Sequence, residues 1–526
     1  MADLGKPISQ QTSAVDKADA RFERGLEIRR PWEGTFQECY DYAMPSKTAM
    51  WDNARGQDRS VDIFDETAVV AVPEFANRLQ SGLIPPFAKW SKYTPGAAVP
   101  KEQLKEVEKT LEGITEYAFE VIHNSNFNEE AHEAFHEIAI GTASMAVVEG
   151  DYRSPIHCKA IPIPQLVIDR GPNDSIDMNG FSRMVPGRLI DVMYPNAKLK
   201  DDTRRQLANE PDKDVEIREA CWREWETAPE IKHQKLVWLK SHKEVLESEV
   251  YNGEGSNPFI TFRWAKLANE VWGRGPLLNA LPAIKTANLT VQLVLENAEM
   301  AIAGFYTAEN DGVINVENIR IEPGTIVPVS PGSRGLQAVG PAGKFDIAQL
   351  VLQDMRANIK RALYNEMLGN PDRTPKSATE VNARMADLSR MIGSSYGRLH
   401  SEFVQPFLRR VLFLLRKQGL ITLPSINNQL IKVNPQSPLS RAQQYQEVED
   451  ISNYVMLIAQ MFGPQLVNVF IKGEEAAPLV GKKMGIPSSI SGCRGEIEGL
   501  MKMMQEQMAQ QQGAQNAGQP TQGQPQ

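Results

Sequence analysis

Apolar residues recur at helical spacing on both sides of a short stretch where that period is lost. From Leu277 to Ala303 the apolar positions Leu281, Ile284, Val291, Leu295, Ala298 and Ile302 fall three, four or seven apart, which predicts a helix. From Gly304 to Lys344 eleven residues are Gly or Pro, and Ile319 and Ile321 alternate with Arg320 and Glu322, which reads as turn-rich β structure. The helical period returns at Asp346, a candidate N-cap. Ile347, Leu350, Val351, Met355, Ile359, Leu363 and Met367 then share one face, up to a stop at Gly369-Asn370-Pro371. After a charged loop, Ser377-Ala378-Thr379-Glu380 fits a capping box and opens a long helix running to Gly419, with a kink expected at Pro406.

The pattern is therefore two helical arms around a small β module. At about 1.5 Å per residue each arm spans on the order of 40 Å. Such an arm cannot bury its apolar side on one partner helix, and an assembly of several copies is expected.

Before this region the chain reads as α+β. Residues up to about 15 are polar and expected to be loose. Helices are expected over Lys17–Arg30, Trp32–Met44, Asp65–Ser81, Lys101–Asn124 and Asn128–Ile140, with short strands and turns from Ser144 to Phe262 and a polar helix over Asn196–Asn209. After Pro438 a helical bundle is expected over Arg441–Phe462, Gln465–Phe470, Ala476–Lys483 and Arg494–Gln511. The Gln-, Gly- and Pro-rich end is too polar to offset its ordering entropy, so disorder is expected there.

Composition narrows the function classes. The 526 residues are 41% hydrophobic and 23% charged, an ordinary globular balance, and the net charge of −9 argues against bulk attraction to nucleic acid. Cys39, Cys158, Cys221 and Cys493 show no paired spacing and read as free thiols. The first residues carry no apolar run, so no signal peptide is expected. The most apolar window, Leu289–Ile302, holds Gln292, Glu296, Asn297 and Glu299, so no membrane span is expected either.

Two motifs suggest chemistry. His132-Glu133-Ala134-Phe135-His136 places two imidazoles one helical turn apart beside a glutamate, as in zinc hydrolases. The extended form would need Gly at 139 and His at 142, where Ala139 and Thr142 stand, and no third ligand presents itself. A solvated helix face is the simpler reading. Gly393-Ser394-Ser395-Tyr396-Gly397 matches a nucleophile elbow, but lies inside a helical run where that chemistry needs a strand, turn and helix. No phosphate-binding loop is present, and no cofactor is implied.

Several segments, in order, resemble the portal, or head-to-tail connector, proteins of short-tailed bacteriophages. These are Arg29-Arg30-Pro31-Trp32-Glu33, Cys39 to Ser46, Ala76-Asn77-Arg78-Leu79, Pro85 to Trp90, Trp272-Gly273-Arg274-Gly275-Pro276 with the arms that follow, Ser377 to Val381, and Gly485 to Ile490. The resemblance implies a mostly helical α+β portal fold. Residues 1–276 would form a wing, 277–303 and 345–369 a stem, and 304–344 a clip. A tunnel loop would occupy 370–376, a long helix returning to the wing 377–440, a helical crown 441–511 and a loose tail 512–526.

It further implies a virion protein, not an enzyme: a ring, typically of twelve copies, at one capsid vertex. Double-stranded DNA would enter and leave through its channel. Partners would be the major capsid and scaffolding proteins, a separate terminase carrying the ATPase, and tail adaptors, with no membrane. By position and charge, Arg356, Lys360, Arg361, Asp372, Arg373 and Lys376 would lie near the DNA, and Arg320, Glu322 and Arg334 at the docking end of the clip. A zinc hydrolase using His132, Glu133 and His136, and a ring scaffold that passes no DNA, stand as alternatives.

Overall fold

The structure is a computed structural model. It describes residues 8–47, 49–51, 59–96, 99, 104–227, 230–303, 305–307, 337–339, 345–365, 392–422, 431–462 and 480–481. The chain mixes helix and strand and divides into two compact units.

The first unit opens with α1 (Ile8–Ala43), one continuous helix that includes Pro31 and residues 8–15 of the stretch expected to be loose; residues 1–7 lie outside the described residues. An internal proline removes a backbone donor and costs about 3 kcal/mol. Burial at both ends of α1 offsets that: Val15, Ala18 and Phe22 on one side of Pro31, and Phe36, Cys39, Tyr40 and Ala43 on the other, are almost wholly excluded from solvent. The same reasoning applies to Pro73 inside α2 (Thr67–Leu83), where Ala71, Val72, Phe75 and Ala76 are buried. β1 (Ser91–Pro95), α3 (Leu104–His123) and α4 (Phe127–Ile140) follow.

The strands form two main sheets. β2 (Thr142–Glu149) lies between β3 (Ile156–Ile161) and β9 (Phe259–Arg263), antiparallel to both. An antiparallel meander runs β4 (Leu166–Arg170), β5 (Ile176–Pro186), β6 (Asp214–Arg223), β7 (Lys232–Leu239) and β8 (Glu244–Asn252). The alternation of Leu236 and Trp238 with Val237 and Leu239 on β7 serves both faces of this meander. The first pair joins Val15, Ala18 and Phe22 of α1. The second pair packs with Ile190 of α5 (Ile190–Met193) and Leu207 of α6 (Asp201–Asn209). The polar helix expected from Asn196 therefore starts later, at Asp201.

α7 (Pro276–Ala303) packs along α8 (Phe345–Ala362), and between them β10 (Phe305–Thr307) pairs antiparallel with β11 (Gln337–Val339). The remainder of the β-rich stretch, including Arg320, Glu322 and Arg334, lies outside the described residues. α8 is shorter than expected: it ends at Ala362, seven residues before Gly369, and its 18 residues span about 27 Å. Residues 392–399 are helical, and the helix passes through a π turn at His400–Val404 and continues as α9 (Gln405–Lys417). The break expected at Pro406 takes this form, since the wider turn gives room for a proline ring that would crowd the preceding turn. β12 (Ile431–Pro435) pairs with β1.

The second unit gathers Lys89–Ser91 and the chain from Asn434 onward, including α10 (Pro438–Phe462). Gln436 donates its N–H to the Trp90 carbonyl at 2.8 Å, and α10 exposes Tyr454, Met456, Leu457 and Met461. Of the later helices expected, only residues 480–481 are described, and they are helical. The expected Gln-rich tail and the Ser377–Glu380 capping box lie outside the described residues.

Candidate functional site

Within the first unit, α7 starts at a joint built by segments far apart in sequence. Arg29 on α1 donates to the carbonyls of Pro164 at 2.9 Å and Leu166 at 2.8 Å, and pairs with Glu33 at 3.0 Å, pinning the helix to the turn before β4. One turn on, Trp32 stacks on Phe36, Phe36 meets the edge of Trp272, and the Arg274 guanidinium lies over the Trp32 ring at 4.7 Å. Glu270 holds that guanidinium in a two-pronged ion pair at 2.7 and 2.9 Å.

Beneath these rings two backbones cross with no room for side chains. Gly275 donates to the Ile140 carbonyl at 2.7 Å, and Gly273 to the Thr142 hydroxyl at 2.8 Å. A Cβ on Gly275 would sit 2.1 Å from the Ala139 carbonyl oxygen. One on Gly141, whose φ is +149°, would sit 2.2 Å from that of Gly273. Glycine is required here for close approach and, at 141, for its φ as well. Pro276 then begins α7, where a missing N–H is harmless.

The two arms are tied together by the segment leading into α2. Asn288 on α7 accepts the N–H groups of Phe64 at 2.7 Å and Asp65 at 3.1 Å, and donates to the Asp62 carbonyl at 3.0 Å. The buried Asp65 carboxylate caps Thr67 N–H at 3.0 Å and accepts Nε of Arg356 on α8 at 2.8 Å. Burial pushes the Asp65 carboxyl up, yet the hydrogen bonds from Thr67 and Arg356 outweigh it and hold it below its ordinary value. Arg356, expected near DNA by charge, therefore has Nε committed to Asp65 while its side chain stays 47% exposed. Lys360 and Arg361 are exposed in the last turn of α8, a position where basic groups also complement the helix dipole.

The end of α8 is locked onto α2. Asn365 N–H reaches back to the Lys360 carbonyl at 2.7 Å and Tyr364 takes φ = +60°, the left-handed position that usually falls to glycine in such a cap. Arg78 of α2 donates to the Tyr364 carbonyl at 2.7 Å and the Asn365 side chain at 3.2 Å, and Asn365 donates to the Ala71 carbonyl at 3.0 Å. The Tyr364 ring lies against Phe75 and Trp264. Asp372, Arg373 and Lys376 lie outside the described residues.

The two motifs with catalytic overtones are absorbed by structure. His132 and His136 share a face of α4 with ring centroids 4.7 Å apart, but His132 Nε2 engages Asn77 at 2.9 Å. Lys47 pairs with Glu133 at 2.6 Å, occupying the carboxylate that would have to activate a water. Among the described residues no group of three or more His, Cys, Asp or Glu side chains could hold a metal. The neighbouring Glu137 is buried and accepts from the Tyr40 hydroxyl and from Ile163 N–H at 3.2 Å, a core role. Gly393 and Gly397 lie on the helical stretch 392–399, with open space where a Cβ would stand. Cys39, Cys158 and Cys221 are buried free thiols, pushed up by burial; Cys493 lies outside the described residues.

Sequence reasoning passed over Asp65, Asn288, Arg78 and Asn365, which organise the arms. Their sequence signals were the Asp65-Glu66-Thr67 helix start, the Ala76-Asn77-Arg78-Leu79 segment and the Asn-Leu-Thr triplet at 288–290, and none of these names a partner more than 200 residues away.

Comparison with known proteins places the sequence in a family. A curated relative, a probable portal protein of Bordetella phage BPP-1, is 21% identical over 476 residues, covering 84% of this chain and 82% of that protein. Among solved structures, the neck of an empty gene transfer agent particle (12% identity, 82% of this chain and 94% of that one) and the virion of a native gene transfer agent particle (10%, 81% and 94%) each align at a TM-score of 0.35. A likeness that low fixes nothing about the assembly of this chain. The family model for bacteriophage head to tail connecting proteins spans residues 15–491, and the chain belongs to that family.

Proposed function

We infer that this head-to-tail connecting protein is a portal subunit, a virion component whose copies close into a ring at one capsid vertex. Double-stranded DNA is packaged and ejected through its channel. The observation that carries the reading is the α7–α8 pair: Leu289, Leu293 and Leu295 on α7 and Leu350 on α8 are each more than half exposed. A helical pair that leaves leucines on several sides gains most by packing among copies of itself, and a head-to-tail contact repeated by rotation closes a ring.

In this reading the first unit up to residue 276 is the N-terminal part of the wing, α7 and α8 are the stem, and β10 and β11 start and end the clip. Residues 377–440 carry the long helix back to the wing, and α10 opens the crown. Lys360 and Arg361, with Asp372, Arg373 and Lys376 of the tunnel loop, lie near the DNA, and Arg356 serves it only with the part of its guanidinium that Asp65 leaves free. Arg320, Glu322 and Arg334 belong to the clip that meets terminase and then the tail adaptors. Capsid and scaffolding proteins surround the ring. The family is structural rather than catalytic, so the ATPase of packaging belongs to the terminase.

Native mass spectrometry and negative-stain microscopy of the purified chain test the reading. A ring of about a dozen subunits with a central hole is the expected result. Leu289→Glu with Leu293→Glu shifts the protein to small species while its circular dichroism is retained. A monomer or dimer at every concentration of the unaltered chain overturns the reading.

A further inference from the structure

We propose that the cleft lined by β5, β9 and the helix carrying Arg398 and Arg409 binds an anionic small molecule, which presents a carboxylate or phosphate head to Arg398 and a hydrogen-bonding body to Asn179. The cleft has a volume of about 510 Å³, the size of a small-ligand site and more than a bare oxyanion fills. Every residue that lines it belongs to the first unit, so the site stands whether or not the chain closes into a ring.

The charges of the lining do not cancel. Four cationic side chains face three carboxylates. Lys266 pairs with Asp174 at 3.1 Å and Arg409 with Glu254 at 2.7 Å. The buried Arg263 of β9 takes both oxygens of Glu402, at 2.7 and 3.1 Å. Arg398 has to share one of those oxygens, at 3.4 Å, and stays about a third exposed. His233 also lines the cleft, where its Nδ1 meets the Ser256 hydroxyl at 2.9 Å; burial pushes its pKa down to about 4, so it adds no charge near neutrality. One guanidinium is thus in excess, in a chain whose net charge is −9. A planar guanidinium with only a long internal contact is suited to two-pronged recognition of a carboxylate or phosphate.

Asn179 points to a ligand independently. It stands on β5 and lines the cleft, only 3% exposed, yet its amide oxygen has no hydrogen-bond partner among the described residues. Folded proteins pair nearly all such buried groups, because an unpaired one is destabilising. A ligand in the cleft supplies the missing partner. Either a donor or an acceptor on it will serve, since a half-turn of the side chain exchanges the amide oxygen and nitrogen.

Isothermal titration calorimetry of the full-length protein in low-salt buffer, with inorganic phosphate and with succinate as probes, tests the site. One ion per chain is expected to bind, for at least one of the two probes, with a Kd on the order of 1 mM or below. Arg398→Gln, with its fold checked by circular dichroism, should weaken that binding by about tenfold, as loss of a charge-assisted hydrogen bond does. If that variant does not fold, Arg409→Gln also cancels the excess charge and is read in the same way. Asn179→Leu removes the unpaired amide at nearly constant volume, so without added anion it should melt no lower than the unaltered protein. No saturable heat with either probe, binding that the folded arginine variant leaves unchanged, or a lowered melting temperature in Asn179→Leu would each overturn the proposal.

Discussion

Arg356 gives its Nε to the Asp65 carboxylate at 2.8 Å, so a residue on the second arm is anchored to the N-terminus of α2, where the same carboxylate caps Thr67. Asn288 holds the first arm to the same segment. The segment Asp62–Asp65 thus holds both arms, the second through the Asp65 carboxylate and the first through its backbone groups on Asn288.

Arg356→Ala is expected to cost about 1 kcal/mol, the modest value of a half-exposed partner. Asp65→Ala removes the cap as well and should cost about 2 kcal/mol. Because the Asp65 carboxyl lies below its ordinary value, its contribution is full above about pH 4 and is lost as the pH falls through the folded-state pKa. Urea melts at neutral and acidic pH check both statements: the two variants should converge on the unaltered protein at the acid end.

The glycine crossing makes a sharper claim. Gly275→Ala and Gly141→Ala put a methyl group within 2.2 Å of a backbone oxygen, and each is expected to cost about 3 kcal/mol or more and to lower soluble yield. Gly393→Ala and Gly397→Ala place theirs in open space on a helix and should stabilise the monomer by about 0.5–1 kcal/mol. Equal effects at the four sites in thermal melts would contradict the packing described.

His136 and His233 are held neutral. Burial, then the charges of Lys47 and His132, pushes His136 down to about 4; burial, then Arg223 and Arg410, does the same for His233. In the unfolded chain both titrate near pH 6.5, so between about pH 6.5 and 4 the unfolded state takes up protons that the folded state refuses. Stability is fully present above that window and falls as the pH drops through it. Melting temperatures from pH 7.5 to 4.5 should decline less steeply in His136→Gln and in His233→Gln than in the unaltered protein; parallel curves would remove these imidazoles as the cause.

Much of the fold was legible because its elements are long and strongly patterned. The helices at 104–123 and 127–140 stand within a few residues of their expected ends, and so do the strands at 156–161 and 259–263. Misjudged points were those where packing overruled local chemistry. Pro31 does not end α1, because buried residues on both sides hold the two halves in one axis. α8 stops short of its glycine, because Arg78 and Asn365 enforce a cap at Tyr364. Pro406 is accommodated by a π turn whose Glu402 then grips Arg263 of β9 at 2.7 Å.

The candidate site divides in the same way. The order of the sequence motifs by itself determined the family, and the hydrophobic period determined the two arms, since both depend only on residues close along the chain. What a charged side chain pairs with was decided by tertiary structure. Arg356 stands out in sequence only by its charge and position, yet its Nε is bound to an aspartate 291 residues away. Distances of that kind are set only when the core closes, because a carboxylate and a guanidinium pair by proximity in space, which spacing in the chain does not report.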